Sequence, residues 1–373
     1  MTVKFSFSNE QEEFRSNLRR LLADRSPTKE VRRLMETDQG YERDEWKAIN
    51  NALGLTAIRI PEDCGGYGLS FGDQGIVLEE MGRALLCAPY FATAVLAAGA
   101  IINAGTEAEK EALLPCIAAG ETTATLAWVE DNARWDAEGT ALTATAESSG
   151  VMLNGHKTYV VDGHTADLIV VLAHAPQGLS LFTVDGTAAG LTRRALKSMD
   201  PTRKFARLEF DRVNARPLGV VGEAAAPFAR TMIEATVCLA NEMVGGAERL
   251  REDALAYAMM RMQFGRPIAS FQSMKHKQAD MLLEVELAKS AAYYAAASLD
   301  DGDDDVAASA HLAKALASDA YTQTAIHAVQ IHGGIGFTWD NDTHLWFKRA
   351  KSSEVLLGDA QYHRELMLQN WAA

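Results

Sequence analysis

Arg261 has the setting that most strongly suggests chemistry. It follows Tyr257 by four residues, on the same helical face, in YAMMRMQFGRPIASFQSMKHKQADM (257–281), just before Gly265 and Pro267. An arginine at such a helix end can offer a pyrophosphate a two-pronged donor set that lysine cannot reproduce. A plain surface arginine is the alternative. A second stretch, QIHGGIGFTWDNDTHLWFKRAK (330–351), puts Gln330 ahead of Gly333 and Gly334. Adjacent glycines allow close backbone approach to a ligand, although a helix C-cap turn would use them too. Two carboxylates, Glu234 and Glu242, lie in the helical pattern leading to Tyr257. Glu234 sits among Met232, Ile233 and Val237, and apolar surroundings can raise a carboxylate towards the range of a general base. Glu242 reads either as a base or as a half-buried carboxylate paired with a neighbour.

The elements that must position these residues fall into three textures. Apolar residues recur at three- and four-residue spacing over 10–24, 43–54, 71–86, 90–104 and 107–118, with Ser8 or Asn9 as the first N-cap and a turn-rich loop over 61–68. From about 121 to 219, TATLAWVE, TALTATAE, VMLNGHKTYVV, ADLIVVLAH, LSLFTVDG and ARLEFDRVNA are short β-rich runs between Gly, Asn and Asp turns. Beyond 223, helical patterns over 223–264, 271–299, 304–332 and 343–370 predict four helices in an up-down bundle. The fold class is therefore α+β multidomain. It has an N-terminal helical domain (1–120), a central small antiparallel β-domain (121–222) and a C-terminal four-helix bundle (223–373).

Composition narrows the partners. A length of 373 residues calls for more than one core. A net charge of −14 argues against nucleic acid, which requires a basic face. The four cysteines are far apart without a CxxC, so neither metal nor disulfides are expected, and reduced, buried thiols are. The apolar run 91–102 is too short to span a bilayer and predicts a buried helix. No targeting peptide is evident, which predicts a cytoplasmic protein. The acidic stretch 300–305 reads as a solvated loop between helices.

Together, at that separation and in that architecture, the segments 257–281 and 330–351 resemble the acyl-CoA dehydrogenase family of flavoenzymes. The resemblance implies FAD as cofactor, with Arg261, Phe264 and Gln272 at one set of contacts to its ADP portion and Gln330, Gly333 and Gly334 at the other. It implies that this grip acts across a subunit boundary, in a tetramer built as a dimer of dimers. The flavin-ring side departs from the family pattern. Val129 stands where the family has a threonine, and Arg134-Trp135 where it has a Gly-Ser pair; Glu130 and Asp136 are retained. In KTYVVDG (157–163), Tyr159 could stack on a flavin and Gly163 keeps the turn, but Val161 replaces a hydroxyl donor. The family's two positions for its catalytic glutamate fall on Leu357 and Ala235. Glu234, one residue away, and then Glu242 are the candidate substitutes. His332 and His344 read as packing residues.

Two readings follow. In one, the chain is a subunit of a hetero-oligomer, supplies the ADP-binding half-site and takes the ring face and base from a sister acyl-CoA dehydrogenase subunit. In the other it is a self-sufficient homotetramer using Glu234 or Glu242. A flavin-free structural subunit is a third possibility. The resemblance further implies an acyl-CoA substrate, an electron-transfer flavoprotein as electron acceptor and, for the paired form, bulky acyl groups such as steroid side chains.

Overall fold

The computed structural model describes residues 7–148 and 150–371. In chain order come α1 (Asn9–Arg25), α2 (Thr28–Met35), α3 (Arg43–Leu53), α4 (Phe71–Ala84), a π-helical segment (Phe91–Ala97) running into α5 (Ala98–Ala104), and α6 (Glu107–Ala118). Strands follow: β1 (Ala124–Ala127), β2 (Thr143–Glu147), β3 (Gly150–Val161), β4 (Leu168–Ala175), β5 (Gly178–Asp185), β6 (Leu191–Leu196) and β7 (Phe205–Leu218). The C-terminal part holds α7 (Ala225–Met260), a ladder of β8 (Met262–Gln263) with β9 (Arg266–Pro267), α8 (Gln272–Asp301), α9 (Val306–His332), α10 (Thr343–Val355) and α11 (Ala360–Trp371). Helix α2 and strand β6 are additions to the sequence reading. The contacts divide the chain into two compact units.

One unit is helical and comprises the described residues of Met1–Arg32, Phe71–Leu86 and Thr236–Ala373. Ser8 and Gln11 form a capping box that starts α1, the expected N-cap. Buried charges tie α1 to α4, because Arg15 Nη1 donates to Glu79 at 2.6 Å, and the Tyr293 hydroxyl of α8 donates to the same carboxylate at 2.7 Å. Helices α4 and α7 touch backbone to backbone. A Cβ on Gly82 would lie 2.0 Å from the Glu242 carbonyl oxygen, and one on Gly245 would lie 1.8 Å from that of Glu79. Alanines such as Ala288, Ala292, Ala310 and Ala313 are buried along α8 and α9. Two corrections arise here. The stretch 343–370 is two helices, so among the described residues five α-helices rather than four follow the β-region; Leu357 at φ 65° and Gly358 at φ 111° break the run. The acidic stretch is also more than a solvated loop. Asp300 lies within α8 and accepts the N–H groups of Phe71 at 2.7 Å and Gly72 at 3.1 Å, capping α4 from a distant part of the chain.

The other unit comprises Arg33–Ser70 and Cys87–Ala235 and contains the sheet. The pairing order is β1-β4-β2-β3-β7-β5, with β6 on β7, and the β4–β5 ladder closes the path on itself. Leu153, Val160, Ile169, Val171, Phe182, Leu208 and Val213 fill its interior. Most ladders are antiparallel as expected, but β1 runs parallel to β4, so the sheet is mixed. β6, Leu-Thr-Arg-Arg-Ala-Leu, is largely exposed and its arginines hid it from a hydrophobicity pattern. The apolar run from Phe91 is buried, as expected, but begins as a π-helix, in which Thr93 exchanges hydrogen bonds with Ala124 of β1. Cys64, Cys87 and Cys238 are buried free thiols; Cys116, near the end of α6, is exposed, contrary to expectation. No helix among the described residues is long and apolar enough to cross a membrane, and none of their His, Cys, Asp and Glu side chains cluster as a metal site.

Candidate functional site

Helix α7 stops at Met260, short of the expected 264, because the next residues turn into a hairpin. Met262 pairs with Pro267 and Gln263 with Arg266. The two turn residues, Phe264 and Gly265, both have positive φ, 53° and 75°. That is the signature of a tight hairpin turn whose twist suits the strands. A bulky aromatic residue rarely occupies the left-handed region, and such strain clusters at binding surfaces. Phe264 is 90% exposed and meets Phe271 edge to face, with 6.0 Å between ring centroids. Arg261 and Gln272 are also exposed, one at each end of the hairpin segment.

The second segment meets the first directly. The Tyr257 ring stacks on His332 with 4.3 Å between centroids, and His332 is held by a 2.8 Å bond from Nδ1 to the Ala328 carbonyl. Gly333 ends α9 at φ 68° and ψ −146°, a conformation that only glycine tolerates. A Cβ on Gly333 or Gly334 would meet nothing within 4 Å, so the backbone there forms an open shelf. Gln330 is exposed and its Oε1 accepts from Lys277 Nζ at 3.0 Å. Arginine and amide donors, bare backbone and an uncovered aromatic face suit a diphosphate-bearing adenine nucleotide, so these residues fit the ADP portion of FAD.

The segment expected to face the flavin ring has the opposite character. Lys157 is fully buried, and its ammonium donates to the Trp128 carbonyl at 3.0 Å and to Glu130 at 2.8 Å. Glu130 also accepts from the N–H groups of Ala141 and Leu142 at 2.8 and 2.9 Å. Burial pushes the Lys157 amine down to about 8, against the pull of Glu130. Burial pushes the Glu130 carboxyl up, but Lys157 and the two backbone donors outweigh it and leave it below the ordinary range. Around them the loop folds on itself. Trp128 Nε1 donates to the Trp135 carbonyl at 3.1 Å, Asn132 to the Gly139 carbonyl at 2.7 Å, and Arg134 to Asp136 and Glu138. Tyr159 sits in a β-bulge at φ 51° that turns its half-exposed ring outward, while Val161 is buried.

Both candidate carboxylates are ion-paired. Glu234 accepts from Arg230 at 2.7 Å and from the Asn103 amide at 2.9 Å. Glu242 pairs with Arg349 at 2.9 Å, both buried. Ala235 and Leu357, at the family's two base positions, are buried. Leu357 holds φ 65°, and its carbonyl accepts from His363 at 3.1 Å. His344 packs edge-on against Trp339. Sequence reasoning missed Lys277, which reads there as one more charge on a helix, and the buried Lys157–Glu130 brace, whose partners are 27 residues apart.

Fold and site together define a helical–β–helical flavoenzyme, and comparison with known proteins gives the family. Matches are to the acyl-CoA dehydrogenase N-terminal domain over residues 8–121, the middle domain over 125–213 and the C-terminal domain over 229–371. The acyl-CoA dehydrogenase IpdE2 of Mycobacterium tuberculosis is 32% identical, covering 93% of each chain. Among solved structures, a variant of the "Tcur3481-Tcur3483 steroid ACAD" matches with a TM-score of 0.88 and 29% identity, covering 97% of this chain and 98% of that one. Butyryl-CoA dehydrogenase from Megasphaera elsdenii matches at 0.91 and 26%, covering 99% and 100%. The chain belongs to the acyl-CoA dehydrogenase family. It is an FAD-dependent oxidoreductase acting on acyl-CoA thioesters.

Proposed function

We propose that this chain works as one subunit of a hetero-oligomeric acyl-CoA dehydrogenase, with domains at 1–120, 121–222 and 223–373. In that assembly it supplies the ADP-binding half-site through Arg261, Phe264, Gln272, Gln330, Gly333 and Gly334, and a sister subunit supplies the ring face and the base. FAD, when bound, accepts the hydride leaving Cβ. Removal of the Cα proton needs a carboxylate within hydrogen-bond reach of that carbon.

The observation that carries the reading is the state of this chain's own carboxylates. Glu234 turns to Arg230 and Asn103 and Glu242 to Arg349, while the family's two base positions hold Leu357 and Ala235. Oxygens so engaged face guanidinium and amide groups rather than a substrate carbon. The self-bonded 128–142 loop and the hydrophobic Val129 and Val161 add to it, since the loop's Trp128, Asn132 and Arg134 side-chain donors already have acceptors within the chain. Tyr159 remains as a ring-stacking residue of the retained shape. The steroid ACAD similarity supports a bulky acyl group, and an electron-transfer flavoprotein is the proposed electron acceptor.

The test is the visible spectrum and native mass of the chain alone and co-expressed with a second acyl-CoA dehydrogenase-like chain. The expected result is a chain that carries flavin only in the mixed oligomer. A yellow homotetramer bleached by an acyl-CoA would overturn the proposal and return Glu234 and Glu242 to the role of base.

A further inference from the structure

We infer that Lys277 is a positioning residue for the nucleotide, acting by fixing which way the Gln330 side-chain amide faces. The inference rests on the reading of Gln330, Gly333 and Gly334 as contacts to the ADP portion of FAD and deepens it.

Gln330 is exposed at the last turn of α9, and an exposed glutamine amide normally turns freely between its two faces. Here Lys277, reaching across from α8, places Nζ 3.0 Å from Gln330 Oε1. An ammonium only donates, so the oxygen and not the NH2 must face it. The NH2 group, with its two donors, is thereby turned away from α8. Lys277 is itself steadied from the other side, since Nζ lies 3.4 Å from His327 Nδ1 one turn back on α9. The same donor-only argument makes that nitrogen a lone pair and assigns the neutral ring's proton to Nε2. Burial and the neighbouring ammonium both push His327 below its ordinary range, which keeps the ring in the accepting form.

Three residues beyond Gln330, Gly333 and Gly334 leave an empty shelf. Adenine ring nitrogens and phosphate oxygens are acceptors, so a ligand that turns them to that shelf requires donors beside it. Without Lys277 the amide can present its oxygen instead, and a carbonyl oxygen facing a phosphate is repulsive.

The experiment titrates FAD into the deflavinated oligomer and follows the quenching of flavin fluorescence. Lys277→Met is expected to weaken binding about tenfold, as for loss of a charge-assisted hydrogen bond. Lys277→Arg, which can donate to the same oxygen, is expected to restore most of it. Gln330→Ala should weaken binding as well, and Lys277→Met on top of Gln330→Ala should add nothing, because the lysine acts through the amide. Should methionine disturb α8, Lys277→Gln serves in the same cycle. Unchanged affinity in Lys277→Met, or additive losses in the double variant, would overturn the inference. Arg261→Ala separates the two levels. If it sheds FAD while Lys277→Met does not, only the role of Lys277 fails; if it too retains FAD, the ADP reading itself fails.

Discussion

The 257–272 and 330–334 segments and the 128–163 region treat their hydrogen-bonding groups in opposite ways. In the first, Arg261, Gln272 and the Gly333–Gly334 backbone stand exposed, and Phe264 leaves nearly its whole ring in water. In the second, Glu130, Asn132, Arg134, Lys157 and the Trp128 indole all have partners inside the loop. An uncovered aromatic on a strained turn has no reason to exist in a free chain. A loop whose donors meet its own acceptors is stable with nothing bound. The same protein thus holds one surface left open and one largely bonded to itself.

The largest effect is expected on the open surface. Arg261→Ala should lower FAD affinity at least about a hundredfold, and Arg261→Lys should recover little of it, because a point charge cannot replace the two-pronged guanidinium. Equilibrium dialysis of the assembled protein measures this, and a lysine variant with normal affinity would reduce Arg261 to a generic charge.

The closed surface should respond in stability rather than in binding. Lys157→Met leaves Glu130 buried with only its two backbone donors, and should cost about 3 kcal/mol in urea unfolding. A loss under about 1 kcal/mol would mean that the brace is ornamental. Its pH dependence has a defined sign. The folded-state pKa, about 8, lies below the ordinary 10.5. Between those values the unfolded chain binds a proton that the folded chain lacks, so this group makes stability rise with pH across that window. The stability of the parent relative to Lys157→Met should therefore grow from pH 8 to pH 10.

Glycines sharpen the contrast at smaller scale. Gly334→Ala meets open space, so it should leave the melting temperature unchanged and weaken FAD binding several-fold. Gly245→Ala meets the Glu79 carbonyl and should do the reverse, lowering stability through the α4–α7 contact. Thermal melts of both variants beside FAD titration decide it. If Gly334→Ala binds normally, no ligand comes close to that backbone.

Much of this was legible in the sequence, and the rest was not for identifiable reasons. Helical periods and β-rich runs gave the order of elements, because burying one face leaves a repeat in the chain. The break at Leu357–Gly358 carried a turn signal in Gly358-Asp359 that the helical period on either side overrode, and β6 was hidden by its arginines. The hairpin after Met260 was missed because a phenylalanine at positive φ violates local preference. Of the non-glycine residues with positive φ, Tyr159, Phe264 and Leu357 are also residues singled out by family position. Local rules fail where tertiary structure demands an unusual backbone. The pairing of Glu234 with Arg230 spans one helical turn and was open to sequence reasoning. The Glu242–Arg349 pair, 107 residues apart, was not.

Leu357→Glu is expected to have the smallest effect on activity: none in the chain alone. The backbone there is already held for a side chain in the left-handed conformation. His363 donates to the Leu357 carbonyl, and Lys314 Nζ donates to the carbonyls of Glu354 and Gly358 at 3.2 and 3.0 Å. A glutamate would therefore inherit the leucine's place without rebuilding the turn. A base, however, is one part of the reaction. Val161 cannot donate where the family has a hydroxyl, and the 128–142 loop keeps its own donors, so hydride acceptance would still lack its setting. The assay is acyl-CoA-dependent dye reduction with FAD added, for parent and variant in parallel. Turnover in the variant would mean that the ring-side departures are harmless and that a single carboxylate separates this chain from a self-sufficient dehydrogenase. Restoring hydroxyls by Val129→Thr and Val161→Thr alongside Leu357→Glu then tests how much of the closed surface must be reopened before turnover appears.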